Sequence, residues 1–333
     1  MQDLVTVFGG SGFVGRQVTR ALARAGYRVR VAVRRPHLAN DLKLAGDVGQ
    51  IQIVQANIRN PDSVARALEG ASAAVNLVGV LYENGRQKFM SLHTQGARNI
   101  AEAARQAGIG RMVQVSAIGA DPQGAAKYAR TKAEGEAAVR EILPEAVILR
   151  PSIIFGPGDG FFNRFASMAV LSPALPLIGG GHTRFQPVFV GDVARAVAKA
   201  VSDPACAGQT YELGGPAILS FREVMELVLE ETQRRRFLAP LPFPLAGLIG
   251  KVGDLISATP FPPPLTSDQV AQLKVDNVAD PALPGFEALG VRPTPLHAVV
   301  GSYLYRYRKG GQFAQPPVLD EPAQADAAGR IPA

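Results

Sequence analysis

Leu4-Val5-Thr6-Val7-Phe8-Gly9-Gly10-Ser11-Gly12-Phe13-Val14-Gly15 is the stretch that decides the fold. Its first five residues, mostly apolar and β-branched, read as a strand that runs directly into a glycine loop. The loop opens a helix from Phe13 to Ala25, which Gly26 stops. Gly9 permits the tight turn, Gly12 lets the backbone approach a pyrophosphate, and Gly15 allows close helix–strand packing. Phosphates would sit on the free N–H groups and the positive dipole end of the helix starting near Phe13. Gly9, Gly10, Ser11, Gly12, Phe13, Val14 and Gly15 are therefore the candidate phosphate-binding residues. A strand–turn–helix corner without a ligand is the plainer alternative, but this glycine pattern has the strand before it and the helix after it that dinucleotide binding requires.

Working outward, short apolar runs alternate with helical patterns. Tyr27–Val33, Ile51–Val54, Ala73–Val78, Arg111–Ser116 and Val147–Leu149 read as strands, with helices over about Thr94–Gln106 and Tyr128–Glu141. Such alternation predicts an α/β, Rossmann-type doubly wound parallel sheet, with a smaller, partly helical C-terminal lobe. The expected division is a dinucleotide-binding domain over 1–155, completed by about 186–215. The lobe takes 156–185 and 216–311, and a disordered tail rich in Pro, Ala, Asp and Gln takes 312–333. Pro151 to Pro187 reads as irregular. Pro187–Val190, a helix from Asp192 to Val201 and a strand from Thr210 to Leu213 return the chain to the first domain. Phe221–Glu231 has helical spacing. Leu238–Pro264 is apolar and proline-rich, with room for one short amphipathic helix over Leu245–Ile256.

The second strand ends Ala32-Val33-Arg34-Arg35. An acidic residue there would hold a ribose 2′-hydroxyl, whereas a basic one accommodates a 2′-phosphate. Arg34 and Arg35 thus favour NADP(H) over NAD(H), against the alternative of a solvated strand end. Asn57 and Ile58, after the third strand, could flank the adenine. Val78 and Gly79, after the fourth, lie where the C-terminal ends of parallel strands meet ligand; ordinary strand exits would look the same.

Tyr128 and Lys132 stand four residues apart, on one face of a helix. A lysine there is expected to lower the tyrosine pKa, so that the phenol serves as general acid or base. Ser116, at a strand end, could hydrogen-bond a substrate carbonyl or hydroxyl. Ser116, Tyr128 and Lys132 are the candidate catalytic residues, supporting hydride transfer to or from a nicotinamide.

The 333 residues carry a formal net charge of +7, locally dense only at Arg234–Arg236 and around Arg306, Arg308 and Lys309. That balance favours anionic partners such as phosphorylated cofactors, acidic proteins or anionic lipid. No nucleic-acid motif accompanies it, so nucleic acid is not an expected partner. The single Cys206 excludes an intramolecular disulfide framework, and four dispersed histidines give no metal site. An apolar strand begins by Leu4 and no apolar run reaches membrane-spanning length. The expected location is cytoplasmic, peripheral on the cytoplasmic face of a bacterial inner membrane, or the matrix side in a processed organellar protein.

Gly9-x-x-Gly12-x-x-Gly15 with Ser116, Tyr128 and Lys132 resembles the extended or atypical short-chain dehydrogenase/reductase superfamily. Arg150-Pro151-Ser152, Phe155–Asp159 and Pro187–Asp192 are similar to its segments after the sixth strand, which adds Pro151 to the cofactor-binding set. A narrower match is carried by Leu143–Ser152, Asn163–Met168, Pro240–Leu245, Leu283–Gly290 and Thr294-Pro-Leu296. These resemble the alpha-subcomplex subunit 9 family of NADH:ubiquinone oxidoreductase, respiratory complex I. That resemblance implies an accessory subunit that holds NADPH without turning it over, beside the quinone-binding junction, and supports assembly or stability. Tyr128 and Lys132 would then hold the nicotinamide ribose, although the retained Ser116 keeps an active NAD(P)-dependent oxidoreductase or epimerase open. A greasy C-terminal lobe would suit a quinone, an isoprenoid or a lipid surface; a plain lobe core would look the same.

Overall fold

The computed structural model describes residues 3–257, 259 and 261–313. Residues 314–333, most of the expected disordered tail, lie outside the described residues; Gln312 and Phe313 fall in a single 3-10 turn.

The chain begins with β1 (Leu4–Phe8), α1 (Phe13–Arg24) and β2 (Arg28–Val33). In α1, Gly15, Val18, Thr19, Leu22 and Ala23 are buried, a stripe at helical spacing that faces the sheet. Gly26 ends it at φ +87°, and Tyr27 N–H returns to the Leu22 carbonyl at 3.1 Å. Then come β3 (Ile51–Gln55), α2 (Pro61–Leu68), β4 (Ala73–Asn76), α3 (Gln95–Gln106) and β5 (Arg111–Val115). Helix α2, which the sequence reading left unassigned, has Pro61 in its first turn and an Asn60 cap accepting from Ser63 N–H. Strand β4 stops two residues short of its expected end because the Asn76 side chain accepts from Val78 N–H at 3.0 Å, turning the chain out of the sheet. Next are α4 (Lys127–Ile142), β6 (Val147–Pro151), β7 (Ile154–Phe155), α5 (Phe162–Leu171), β8 (Ala174–Ile178), β9 (Arg184–Phe185), β10 (Val188–Phe189), α6 (Val190–Ser202) and β11 (Thr210–Leu213). The chain continues through β12 (Leu219–Ser220), α7 (Phe221–Glu231), β13 (Phe237–Leu241), α8 (Phe243–Ile256), α9 (Ser267–Gln272) and α10 (His297–Leu304).

Seven strands form one parallel sheet in the order β11-β6-β5-β4-β1-β2-β3. Both faces are covered, so apolar residues predominate in the strands. Val5, Val7, Val29 and Val31 pack on the side of α1 and α6; Phe8, Ala74, Met112 and Ile148 pack on the side of α2, α3 and α4. Strand order reverses between β1 and β4, which places a crevice at their C-terminal ends.

The stretch expected to be irregular, 151–187, contains α5 and β8. Proline disguised both β8 and β13. They pair only with each other, in parallel, so Pro176 and Pro240 remove no ladder bond that a second neighbour needs. A third core, including Phe155, Phe162, Leu175, Phe221, Met225 and Tyr303, holds this lobe together. Within 216–311, however, Phe286, Leu289 and Val291 are buried in the sheet's own core on the α1 and α6 side. Arg150 ties the layers further, pairing with Glu136 of α4 at 2.6 Å and Glu212 of β11 at 3.3 Å.

Candidate functional site

The glycine loop has the geometry its spacing predicts. Gly9 sits at φ +80°, and its carbonyl accepts from Gly12 N–H at 3.0 Å. A Cβ on Gly15 would stand 2.3 Å from the Gly9 carbonyl oxygen, and one on Gly10 would stand 2.9 Å from Val31. On Gly12 it would meet only the Gly9 oxygen, at 3.4 Å, and Gly12 is exposed. The space at Gly10 is therefore filled by core side chains and that at Gly15 by the loop's own backbone, while Gly12 faces open space. Ser11, Phe13 and Val14 remain partly exposed around it. This cradle fits a pyrophosphate against the N-terminus of α1.

Opposite the loop, Val78 packs 3.2 Å from the Cβ position of Gly9. The Cβ position of Gly79 lies 3.3 Å from Lys132 Nζ. Val78, Gly79, Lys132 and the glycine loop thus border one crevice. Lys132 is buried and donates to the Val115 carbonyl at 3.3 Å. Its ammonium lies 5.8 Å from the centre of the Tyr128 ring. Ser116, one residue past β5, is buried, and its Oγ has no hydrogen-bond partner. An orphaned buried hydroxyl beside the crevice fits a site that a ligand oxygen completes. Pro151, at the end of β6, is buried and its carbonyl accepts from Ile118 N–H at 3.0 Å.

The electrostatics differ from the sequence expectation in one respect. Burial, with the carboxylate of Asp268 adding to it, pushes the Tyr128 phenol up to about 12. Burial also pushes Lys132 down to about 8. The tyrosine is therefore not depressed, because desolvation and the Asp268 carboxylate both disfavour the phenolate. At neutral pH Tyr128 is a protonated phenol whose hydroxyl has no hydrogen-bond partner among the described residues.

Two residues the sequence reading missed shape this centre. His93 lies in a π-helical turn, Met90–Thr94, ahead of α3. It stacks on Phe89 and meets Tyr128 edge-on, both with ring centres 5.3 Å apart. Its Nε2 accepts from Val80 N–H at 3.1 Å, so Nδ1 carries the proton and faces Thr131 Oγ1 at 3.2 Å. Burial and the charge of Lys132 push it down to about 2, so it is a neutral wall of the site. Asp268, from α9 in the C-terminal lobe, accepts from the backbone N–H groups of Lys127 and Tyr128 at 2.5 and 3.3 Å. It caps the helix that carries Tyr128 and Lys132. A lone histidine and an aspartate 140 residues downstream of Tyr128 leave no local signature.

At the far end of the crevice, Arg34, Gln55, Ala56, Asn57, Asn60, Ser63 and Arg66 line a cavity of about 300 Å³ between the ends of β2 and β3. Arg34 and Asn57 both line it; Arg35 is exposed and outside the lining. Ile58 is buried against α3, with its side chain under Gly96 and its carbonyl accepting from Asn99 at 2.7 Å. Its side chain is core. No group of three or more His, Cys, Asp or Glu placed to hold a metal ion occurs among the described residues. None of their helices is long and apolar enough to cross a membrane.

Comparison with known proteins adds four findings. The NAD dependent epimerase/dehydratase family matches over residues 5–214. The mouse mitochondrial protein named NADH dehydrogenase [ubiquinone] 1 alpha subcomplex subunit 9 is 36% identical over 307 residues, covering 92% of this chain and 80% of its own. The ceramide reductase of Caulobacter vibrioides is 35% identical over 196 residues, 58% of this chain and 59% of that one. Among solved structures, the NADPH-dependent quinone oxidoreductase QOR2 of Escherichia coli, complexed with NADPH, superposes with a TM-score of 0.71 at 20% identity. It covers 90% of this chain and 99% of that one, a likeness of fold.

Proposed function

Because this chain belongs to the NAD dependent epimerase/dehydratase family and to the family of the alpha subcomplex subunit 9 proteins, we propose that it is an NADP(H)-holding accessory or assembly protein of respiratory complex I. The observation that carries this reading is the reach of the similarity. The epimerase match ends at residue 214, whereas the mouse relative's identity spans 92% of the chain and so takes in the C-terminal lobe. A chain that keeps its lobe alike, and not only its cofactor core, keeps a surface as well as a cradle.

That lobe carries an unusual surface. Leu245, Leu248, Ile249, Val252 and Leu255 of α8 are all exposed on one side, while Ala246, Gly250 and Gly253 are buried on the other. Arg234 donates to the Tyr307 carbonyl at 2.8 Å, so the two basic stretches of the sequence adjoin. An apolar helix face in the same lobe as a basic edge suits contact with a complex I subunit, and with lipid or a quinone at the membrane surface. The protein's place is then peripheral, on the face of the membrane that carries the complex.

A bound nicotinamide supplies a hydride donor or acceptor at this centre. Arg34 and Arg35 support NADP(H) over NAD(H), through the charge they set at the end of β2. In the accessory role Tyr128 and Lys132 hold the nicotinamide ribose, and His93 and Phe89 wall the pocket. Co-migration of the native protein with complex I, and NADPH that survives gel filtration and resists oxidation by carbonyl and quinone compounds, are the expected results. Substrate turnover abolished by Tyr128→Phe would overturn the accessory role.

One observation favours a second reading, an active NAD(P)-dependent oxidoreductase or epimerase on an apolar or quinone-like substrate. Ser116 Oγ is buried and unpartnered, a hydroxyl that could polarise a substrate carbonyl while the protonated Tyr128 supplies the proton to its oxygen during reduction. The ceramide reductase relative agrees with an apolar substrate.

A further inference from the structure

We propose that Arg66, on α2, is the second guanidinium of a 2′-phosphate clamp, acting with Arg34 in the cavity between the ends of β2 and β3. The proposal rests on the NADP(H) preference above and identifies a residue that the strand-end pattern does not point to.

Arg34 and Arg66 come from different elements, 32 positions apart in the chain, yet line the same cavity of about 300 Å³. No carboxylate is in that lining, and neither arginine has an ion-pair or hydrogen-bond partner among the described residues. Asp62 stands one turn before Arg66, where i,i+4 pairing is available, and does not form it. Of the remaining polar side chains, Gln55 has no hydrogen-bond partner among the described residues, and Asn57, Asn60 and Ser63 present donors. Asn57 Oδ1 is occupied by Arg59 N–H at 3.2 Å, and Asn60 Oδ1 by Ser63 N–H at 3.0 Å, leaving both amide NH₂ groups unpartnered. Ser63 Oγ accepts from Asn57 N–H at 3.0 Å, which leaves its hydroxyl proton free. At these three side chains the acceptors are satisfied internally and the donors are left over.

Two cations and three neutral donors around one cavity repel one another unless an anion joins them. A phosphate monoester, with its several acceptor oxygens, suits such a lining. The cavity's position at the β2 and β3 ends is where the adenosine ribose of a dinucleotide lies in this fold. Arg35 is not part of that lining, so the basic pair that lines the cavity is Arg34 with Arg66 rather than Arg34 with Arg35.

The test is titration of the full chain with NADPH, NADH, 2′,5′-ADP and 5′-AMP, read by calorimetry and by the shift in Tm. Arg66→Ala is expected to weaken NADPH and 2′,5′-ADP about tenfold, the worth of one charge-assisted hydrogen bond, with NADH and 5′-AMP unchanged. Arg66→Lys should recover part of the loss, since the point charge remains. Arg66 is exposed, so the unliganded Tm of both variants should match the parent. If Arg34→Ala removes the NADPH preference and Arg66→Ala leaves it intact, Arg66 is no part of the clamp while the cofactor preference stands. If the parent chain binds NADPH and NADH equally, both fall.

Discussion

At the scale of single residues, the glycine loop separates two requirements that the sequence motif merges. A methyl on Gly15 would meet the backbone of Gly9 and Gly10 at 2.3 and 2.6 Å, and backbone cannot rotate away. Gly15→Ala is expected to destabilise the fold by about 3 kcal/mol, measured by urea unfolding. At Gly12 the φ of −72° suits any residue and the only close atom is at 3.4 Å. Gly12→Ala should therefore unfold like the parent while losing most dinucleotide affinity, because its methyl takes the phosphate's place. A second prediction concerns His93. Its pKa is pushed down to about 2 in the folded chain, against 6.5 for the free side chain. Below pH 6.5 the unfolded chain binds a proton that the folded chain refuses, so stability falls as pH falls. Relative to His93→Gln, the parent should lose up to about 1.4 kcal/mol per pH unit between pH 6 and 4. Parallel curves for the two would show that His93 is not held neutral. Gly12 was readable from the sequence because phosphate binding fixes its spacing. His93 was not, because its role depends on Val80, after β4, and on Tyr128 and Lys132, from α4, converging on it.

At the scale of elements, local pattern was sufficient for most of the elements that pack on the sheet, the short α2 excepted. The apolar stripe of α1 and the β-branched run of β1 fall where expected because burial on one face writes a period into the sequence. The lobe's β8 and β13 escaped notice because paired edge strands tolerate proline, which erases the usual signal. Helix α4 shows a further limit. Its N-terminus has no local side-chain cap, and the missing acceptor comes from Asp268 in the lobe. Asp268→Ala is expected to cost about 1 to 2 kcal/mol, as the loss of a cap does. Its charge also helps hold the Tyr128 phenol up, so the same variant should shift Tyr128 ionisation to lower pH. Alkaline difference spectra, with Tyr128→Phe marking that residue's share, read the shift directly. An unchanged tyrosine titration would mean that the lobe does not tune the centre.

At the scale of the whole molecule, the sheet and the lobe divide what had to be buried from what remains available. The net charge of +7 was legible, but its distribution was not: only folding brings Arg234 to Tyr307 and leaves Arg34 and Arg66 around one cavity. The same holds for α8, whose apolar run could have been either lobe core or contact surface. Small residues settle the matter. Gly250 and Gly253 pack directly on Ser267 and Leu265, so the helix lies too close for larger side chains on that side, and its leucines turn outward. Burying them in the monomer would contribute stability, so their exposure implies that substitution there costs the monomer little. Leu248→Gln with Leu255→Gln is expected to change unfolding free energy by less than about 1 kcal/mol and to leave NADPH binding untouched. The same double variant should lose co-migration with complex I on native gels. Retained co-migration would remove α8 from the contact surface, and a collapse of stability would return it to the core.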